Sequence, residues 1–375
     1  LAPGQRVTLR GLVVNEQGCL FDSCAHYQAD SRGEVDLCRD TSQGGDYTGV
    51  EPMGLFWSLS PAGMERTKTP MKVAVSVHQG HSQPGAIPGQ VLAKAHVERW
   101  FTAPGVRRIR LKEGSVRGSL FLPSGDGPFP GVIDMFGDDG GLIEFRSSLL
   151  ALPYFNFEDL PKIMKDLHLE YFEEAARFLQ RHPKVKGPGI GVIGTGKGAE
   201  LAFSMITFLP QVVAAVCISG CSSNTITALH YGELTLPGLR FDMSKISISE
   251  AGVFDIFEAL DDPMDPANSH CLIPIEEAEG HFLLVVGEDD RNWKSSFFAE
   301  MAIGRLRQHG KDNFKLLSYP GAGHRIDPPF LPLCSVALDR VLGLPILGGG
   351  ERKAHAHAQE HSWKKIREFL HLHLG

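Results

Sequence analysis

Gly187 to Phe208 reads GPGIGVIGTGKGAELAFSMITF. The apolar run Ile190 to Ile193 has the length of a buried parallel strand and is too short for a helix. Gly194, Gly196 and Gly198 then break the pattern at alternate positions, and Ala199 to Phe208 follows with Leu201, Met205 and Phe208 at helical spacing. Strand, tight glycine turn and helix form the setting of the nucleophile elbow G-x-S-x-G. Laid on Gly194-Thr195-Gly196-Lys197-Gly198, that pattern puts Gly196 at the serine position. The frame of a catalytic turn is present and its nucleophilic side chain is not.

Outward from the elbow, the same alternation of strand and helix continues. Downstream, Val212–Ile218, Phe282–Val286 and Phe314–Tyr319 read as buried strands, with helices over about 294–308 and at the end, where Trp363, Ile366 and Phe369 share a face. Upstream, Gly131 to Phe136 reads as a strand leading into the glycine-rich loop 137–141. Met164, Leu167, Tyr171, Ala175 and Phe178 predict an amphipathic helix ending before Pro183. This order implies a doubly wound, mainly parallel sheet, with ligands beyond the carboxyl ends of its strands. Before the Gly/Pro-rich stretch 124–130 the signals change. Val7/Leu9, Val73/Val75/Val77 and Ile109/Leu111 alternate with polar neighbours between turn-forming stretches at 15–18, 42–45 and 112–115. Short alternating strands of this kind predict a β-sandwich over 1–123 ahead of an α/β domain over 124–375. The stretch between Cys221 and Cys271, weakly periodic, is either an excursion over the active-site face or a surface insertion.

Composition narrows the classes. The 375 residues are 42% hydrophobic and 22% charged with a net charge of −7, which suits a globular protein and argues against nucleic acid as a partner. No apolar run reaches the ~20 residues that span a bilayer. Seven scattered cysteines without C-x-x-C spacing favour reduced thiols and a cytoplasmic location. A missing upstream segment would open mitochondrial or peroxisomal alternatives, since the sequence begins with Leu1.

Chemistry on such a sheet needs a nucleophile, an acid and a histidine in that chain order. Gly287-Glu288-Asp289-Asp290 follows the strand 282–286, and Pro320-Gly321-Ala322-Gly323-His324 follows the strand 314–319. An acid there would orient the imidazole of His324, and the imidazole would move the proton. The loop beginning at Gly137 is placed to give one backbone N–H of an oxyanion hole, and Lys197, at the helix start, the other. No cofactor and no metal is required. His355, His357 and His361 precede or open the last helix without a completing carboxylate or cysteine, and are expected on a solvated face. Cys217 and Cys221 are expected to be inert buried thiols, and the glycine turn lacks the spacing of a phosphate-binding loop.

Longer stretches carry a resemblance. Gly49-Val50-Glu51-Pro52-Met53-Gly54-Leu55, Arg99-Trp100-Phe101, residues 116–123 (VRGSLFLP), 129–137 (FPGVIDMFG), 157–161 (FEDLP), 169–175 (LEYFEEA) and 319–324 (YPGAGH) resemble the family of type I acyl-CoA thioesterases and bile acid-CoA:amino acid N-acyltransferases, over nearly the whole chain. The resemblance implies an N-terminal β-sandwich, a C-terminal α/β-hydrolase domain, an acyl-enzyme mechanism on fatty acyl-CoA, and a monomer or weak oligomer. It places the triad acid on Asp290 and the base on His324. The thioesterases of this family carry serine at the elbow and the N-acyltransferases cysteine, where this chain has Gly196. Lys197 and Gly198 follow the thioesterase pattern. Thr195, one position along a sharp turn, is a poor substitute nucleophile. Asp138 and Asp139 replace uncharged residues of the family loop. Between Leu149 and Tyr154 the chain is shorter than the family by roughly one strand, so Leu149–Phe155 either serves as a compressed strand or leaves the sheet damaged. The implied function is hydrolysis of fatty acyl-CoA to fatty acid and CoA, impaired by Gly196. Its alternatives are a non-catalytic acyl-CoA-binding relative and an acyl-CoA:amino acid N-acyltransferase.

Overall fold

The computed structural model describes residues 1–14, 20–59, 71–82, 89–137, 140–144, 146, 150–339 and 343–375. Two compact units divide it: Leu1–Phe101 with Pro328–Cys334, and Thr102–Asp327 with Ser335–Gly375.

In the first unit, β1 (Arg6–Val14), β2 (Leu20–Gln28), β3 (Met71–Gln79) and β4 (Val91–Arg99) form an antiparallel sheet in the order β2-β1-β3-β4. Alternation in β1 and β2 turns Val7, Leu9, Phe21 and Tyr27 inward, as the period of two requires. Among the described residues the expected sandwich is represented by this one sheet. The turn at 15–18 lies outside the described residues. A short helix, α1 (Gly54–Trp57), begins where a Cβ would stand 2.2 Å from the Tyr47 ring, so the glycine makes room for that ring.

The second unit is built around an eight-stranded sheet. β5 (Arg107–Glu113) and β6 (Val116–Leu122) form a hairpin through the turn at 112–115. β7 (Phe129–Met135) follows, then β8 (Leu150–Ala151), β9 (Leu167–His168), α2 (Leu169–Arg181), β10 (Val185–Thr195), α3 (Lys197–Phe208) and β11 (Val212–Ile218). Short strands β12 (Leu229–Tyr231), β13 (Leu234–Leu236), β14 (Ser247–Ile248) and β15 (Phe254–Asp255) occupy the region between Cys221 and Cys271. β16 (His281–Gly287), α4 (Ser295–Gln308), β17 (Phe314–Tyr319), β18 (Val336–Asp339), β19 (Leu344–Leu347) and α5 (Arg352–Leu374) complete the chain. The main sheet runs β17-β16-β11-β10-β7-β8-β6-β5, parallel from β17 to β8 and antiparallel through β6 and β5. This is an α/β-hydrolase sheet.

Alternation in the central strands divides the core. Val192, Ala215 and Leu284 face α2, α3 and α4; Ile193, Ala214, Val216, Leu283 and Val285 face α5, which returns Ile366 and Phe369. The parallel strands are buried on both faces, hence their continuous apolar runs.

Two expectations are revised and one open alternative is decided. The hairpin β5–β6 is bonded into the main sheet, so the division of the chain falls at 101/102 and not at 123/124. The amphipathic helix starts at Leu169; Leu167 lies in β9, paired with Leu229, and Met164 precedes it. The shortened region resolves as a compressed strand: Leu150 and Ala151 pair with Ile133 and Asp134 on one side and with Leu120 and Ser119 on the other. Both are buried, so two residues suffice to bridge β7 to β6. Leu149 lies outside the described residues.

Candidate active site

The elbow closes as the glycines require. A Cβ on Gly194 would stand 2.0 Å from the Gly198 carbonyl oxygen, and one on Gly198 would stand 2.4 Å from that of Met135. Only glycine permits α3 to approach β10 and β7 so closely. Gly196 lies between them at φ 56° and ψ −121°, a left-handed conformation that side chains resist, with its N–H bonded to the Ile218 carbonyl at 3.0 Å. Lys197 opens α3, so its N–H is among the first-turn donors without an intrahelical acceptor, at the positive end of the helix dipole.

His324 and Asp290 meet opposite this turn. The imidazole Nδ1 and the Asp290 carboxylate are 2.8 Å apart, both side chains buried. A carboxylate only accepts, so Nδ1 is the donor of this bond and Nε2 is the nitrogen left toward the turn. Nε2 lies 3.2 Å from the point a Cβ on Gly196 would occupy. Asp290 also accepts from the N–H groups of Asn292 at 2.8 Å and Trp293 at 3.0 Å and from the Ser295 hydroxyl. Its neighbours do otherwise: Asp289 is exposed and accepts from the Gly350 N–H, while Glu288 accepts from the Ser318 hydroxyl. The Trp293 indole lies parallel to the imidazole, within 8°, at 6.5 Å between centroids.

The backbone of the His324 loop is held from both ends. Ser219 donates its hydroxyl to the His324 carbonyl at 2.8 Å, and the His324 N–H bonds to the Gly348 carbonyl at 2.9 Å. His355 corrects an expectation. It is buried, not solvated, because Nδ1 accepts from the Gly323 N–H at 3.1 Å and Nε2 donates to the Arg325 carbonyl at 2.9 Å. The ring thus brackets His324, and burial pushes its pKa down to about 4. His357 and His361 are exposed as expected, and no cluster of three or more metal-ligating side chains occurs among the described residues.

Gly137 follows β7, with its Cα turned toward the elbow: a Cβ there would meet the Thr195 carbonyl oxygen at 3.3 Å. Its own carbonyl accepts from the Tyr154 hydroxyl at 2.5 Å. Asp138 and Asp139 lie outside the described residues. Thr195 is buried, with its hydroxyl accepting from Arg146. The Lys197 side chain is fully buried, donating to Glu200 at 2.8 Å, to Asn224 Oδ1 at 3.0 Å and to the Thr225 carbonyl at 2.6 Å. Glu200 in turn accepts from the N–H and hydroxyl of Thr225. The elbow helix thereby clamps the start of the 221–271 excursion. Cys217 and Cys221 are buried, their thiols pushed up by desolvation, that of Cys221 to about 12.

Sequence reasoning brought Gly196, Asp290, His324, Gly137 and Lys197 to one place and missed Ser295, Ser219, His355, Arg146 and Tyr154. Ser295 lies only five residues beyond Asp290, to which it donates, and the other four reach the site through tertiary contacts that leave no local spacing to read.

Comparison with known proteins agrees with this architecture. Residues 1–113 match the acyl-CoA thioester hydrolase/BAAT N-terminal region, and residues 167–375 the BAAT/acyl-CoA thioester hydrolase C terminal. The chain belongs to this family. It is 46% identical over 389 aligned positions to human acyl-coenzyme A thioesterase 1, covering all of this chain and 92% of that protein. The human mitochondrial acyl-coenzyme A thioesterase 2 is 46% identical, with 80% of it covered, and mouse acyl-coenzyme A thioesterase 5 also 46%, with 92% covered. The aligned length exceeds the 375 residues of the chain, so the relatives carry residues that it lacks. The acylaminoacyl peptidase of Pyrococcus horikoshii superposes with a TM-score of 0.44 at 13% identity, over 95% of this chain and 54% of that one, too slight a likeness to bear on function. Among the described residues no helix is long and apolar enough to cross a membrane.

Proposed function

We propose that this chain is an acyl-CoA thioesterase by descent that retains the binding and proton-transfer parts of its site and is nearly inactive because residue 196 is glycine. The observation that carries the reading is the buried Asp290–His324 pair, with Nε2 3.2 Å from the missing Cβ. With a hydroxyl at that position, its oxygen would attack the thioester carbonyl and pass its proton to Nε2. The N–H groups of Gly137 and Lys197 would hold the oxyanion. His324 would then protonate the departing CoA sulfur and activate the water that frees the acid. With glycine the sequence stops at the bound acyl-CoA. Relatives named as acyl-coenzyme A thioesterases favour hydrolysis of acyl-CoA over an acyltransferase reaction. Six free thiols among the described residues suit a reducing compartment such as the cytoplasm.

The test is release of free thiol from acyl-CoA. Gly196→Ser is expected to raise the rate by about 10⁴ to 10⁶, the usual cost of one missing triad member. Robust turnover by the unmodified chain would refute the reading.

A further inference from the structure

A second buried charge cluster holds the residue that precedes Gly196. Arg146 commits four of its five N–H groups there. Nε and Nη2 hold the two oxygens of Asp134, Nη2 also reaches the Met135 carbonyl at 3.0 Å, and Nη1 donates to the Thr195 hydroxyl. The same guanidinium lies over the Phe136 ring, 4.9 Å from its centroid, and that of Arg325 lies over the same ring at 5.2 Å. Arg146, Asp134 and Thr195 are all buried.

These partners are adjacent in sequence to the three parts of the candidate site. Met135 and Phe136 lead into Gly137, Thr195 precedes Gly196, and Arg325 follows His324. Neutralising Asp134 needs only two of the four donors. The bond to Thr195 adds nothing to that neutralisation, and valine would fill the same volume as threonine. What the bond does is fix the strand end that carries the elbow against the strand end that carries the oxyanion loop.

We propose that Arg146 is a positioning residue that, through Thr195 and Met135, sets the separation of the Gly137 and Lys197 N–H groups. This rests on the thioesterase reading of the site. A thioester oxygen shared by two backbone donors tolerates little error in their spacing, since about 1 Å of misplacement costs on the order of a hundredfold in rate.

Thr195→Val tests the proposal, because it removes the bond to the elbow and leaves the Asp134–Arg146 pair intact. Thr195→Ser keeps the hydroxyl. In the unmodified Gly196 chain, hydrogen exchange read by mass spectrometry is expected to quicken in Thr195→Val at both the elbow (194–199) and the loop start (135–137). The rest of the sheet should hold, the melting temperature should fall by the few degrees that an unpaired buried Arg146 N–H costs, and Thr195→Ser should restore both protection and stability. In a Gly196→Ser background, Thr195→Val is expected to lower kcat by about ten- to a hundredfold with KM within about twofold, and Thr195→Ser to recover most of it. Unchanged exchange at either segment of a folded Thr195→Val protein would overturn the proposal, as would an unchanged kcat in the active background. Should Gly196→Ser itself prove inert, the thioesterase reading fails, and the exchange result still decides whether Arg146 couples the two segments.

Discussion

The His324 loop is fastened by side-chain contacts from several elements, whereas the Gly196 turn is held by its backbone and, on the proposed reading, lacks only an atom that would serve chemistry. Around His324, the ring is held by Asp290, the carbonyl by Ser219, the N–H by Gly348, and the flanking residues by His355. Removing any of these leaves a buried donor or acceptor unpaired, at about 1–3 kcal/mol each. At Gly196 the opposite holds. A left-handed backbone is easier for glycine than for any other residue, so losing the side chain relieves strain. On the proposed reading, such a site can lack its nucleophile and keep its base.

That contrast can be broken at several points. The largest effect is expected at Asp290. In a Gly196→Ser protein, Asp290→Asn should lower kcat about 10⁴-fold, because the amide no longer holds the Nδ1 proton. Free-thiol release measures it, and a loss below tenfold would mean that Asp290 is not the orienting acid.

Next comes the clamp beneath the elbow. Lys197→Met strands Glu200, whose carboxyl is already pushed up by burial, and is expected to cost about 3–5 kcal/mol in urea unfolding. The double variant with Glu200→Gln should recover part of the loss. Equal stability of Lys197→Met and the parent would show that the excursion is not held there.

His355 gives a pH signature of similar size. Its folded value of about 4 lies below the ordinary 6.5, so the unfolded chain binds the proton more readily. Its contribution is whole above 6.5 and is lost as the pH falls toward 4, on the order of 3 kcal/mol across that window. His355→Leu should flatten this part of the acid limb of a urea-midpoint profile. An unchanged slope would contradict the bracket around His324.

The smallest effect sharpens the comparison most. Gly196→Ser must adopt φ 56° with a Cβ 3.2 Å from His324 Nε2, so it should lose about 1–3 kcal/mol of stability while gaining activity. Differential scanning calorimetry against the parent would show it. A stabilised serine variant would mean that the turn is not strained.

Much of this was legible in the sequence, for physical reasons. Central strands buried on both faces give unbroken apolar runs, so β11, β16 and β17 were readable within a residue or two, whereas β10 begins at Val185, five residues before the apolar run that marked it. Gly196, His324 and the acidic run 288–290 were readable because strand ends on a parallel sheet converge whatever the loops do, and the choice of Asp290 within that run came from the family resemblance. The domain boundary was not, since the alternation in β5 looks the same whichever sheet it joins. Nor was His355, whose helical spacing with His357 and His361 gives no hint that one ring turns inward. Arg146 pairs across 12 residues with Asp134 and 49 with Thr195, separations at which pattern carries no information.

The central claim, a prepared base facing a missing nucleophile, is tested most directly by stoichiometric labelling with a fluorophosphonate, which reacts only with an activated hydroxyl. The unmodified chain should take no label. Gly196→Ser should take one per chain, at residue 196, at a rate that falls sharply when Asp290→Asn is added. A label on the unmodified chain, or none on a folded Gly196→Ser protein, would contradict it.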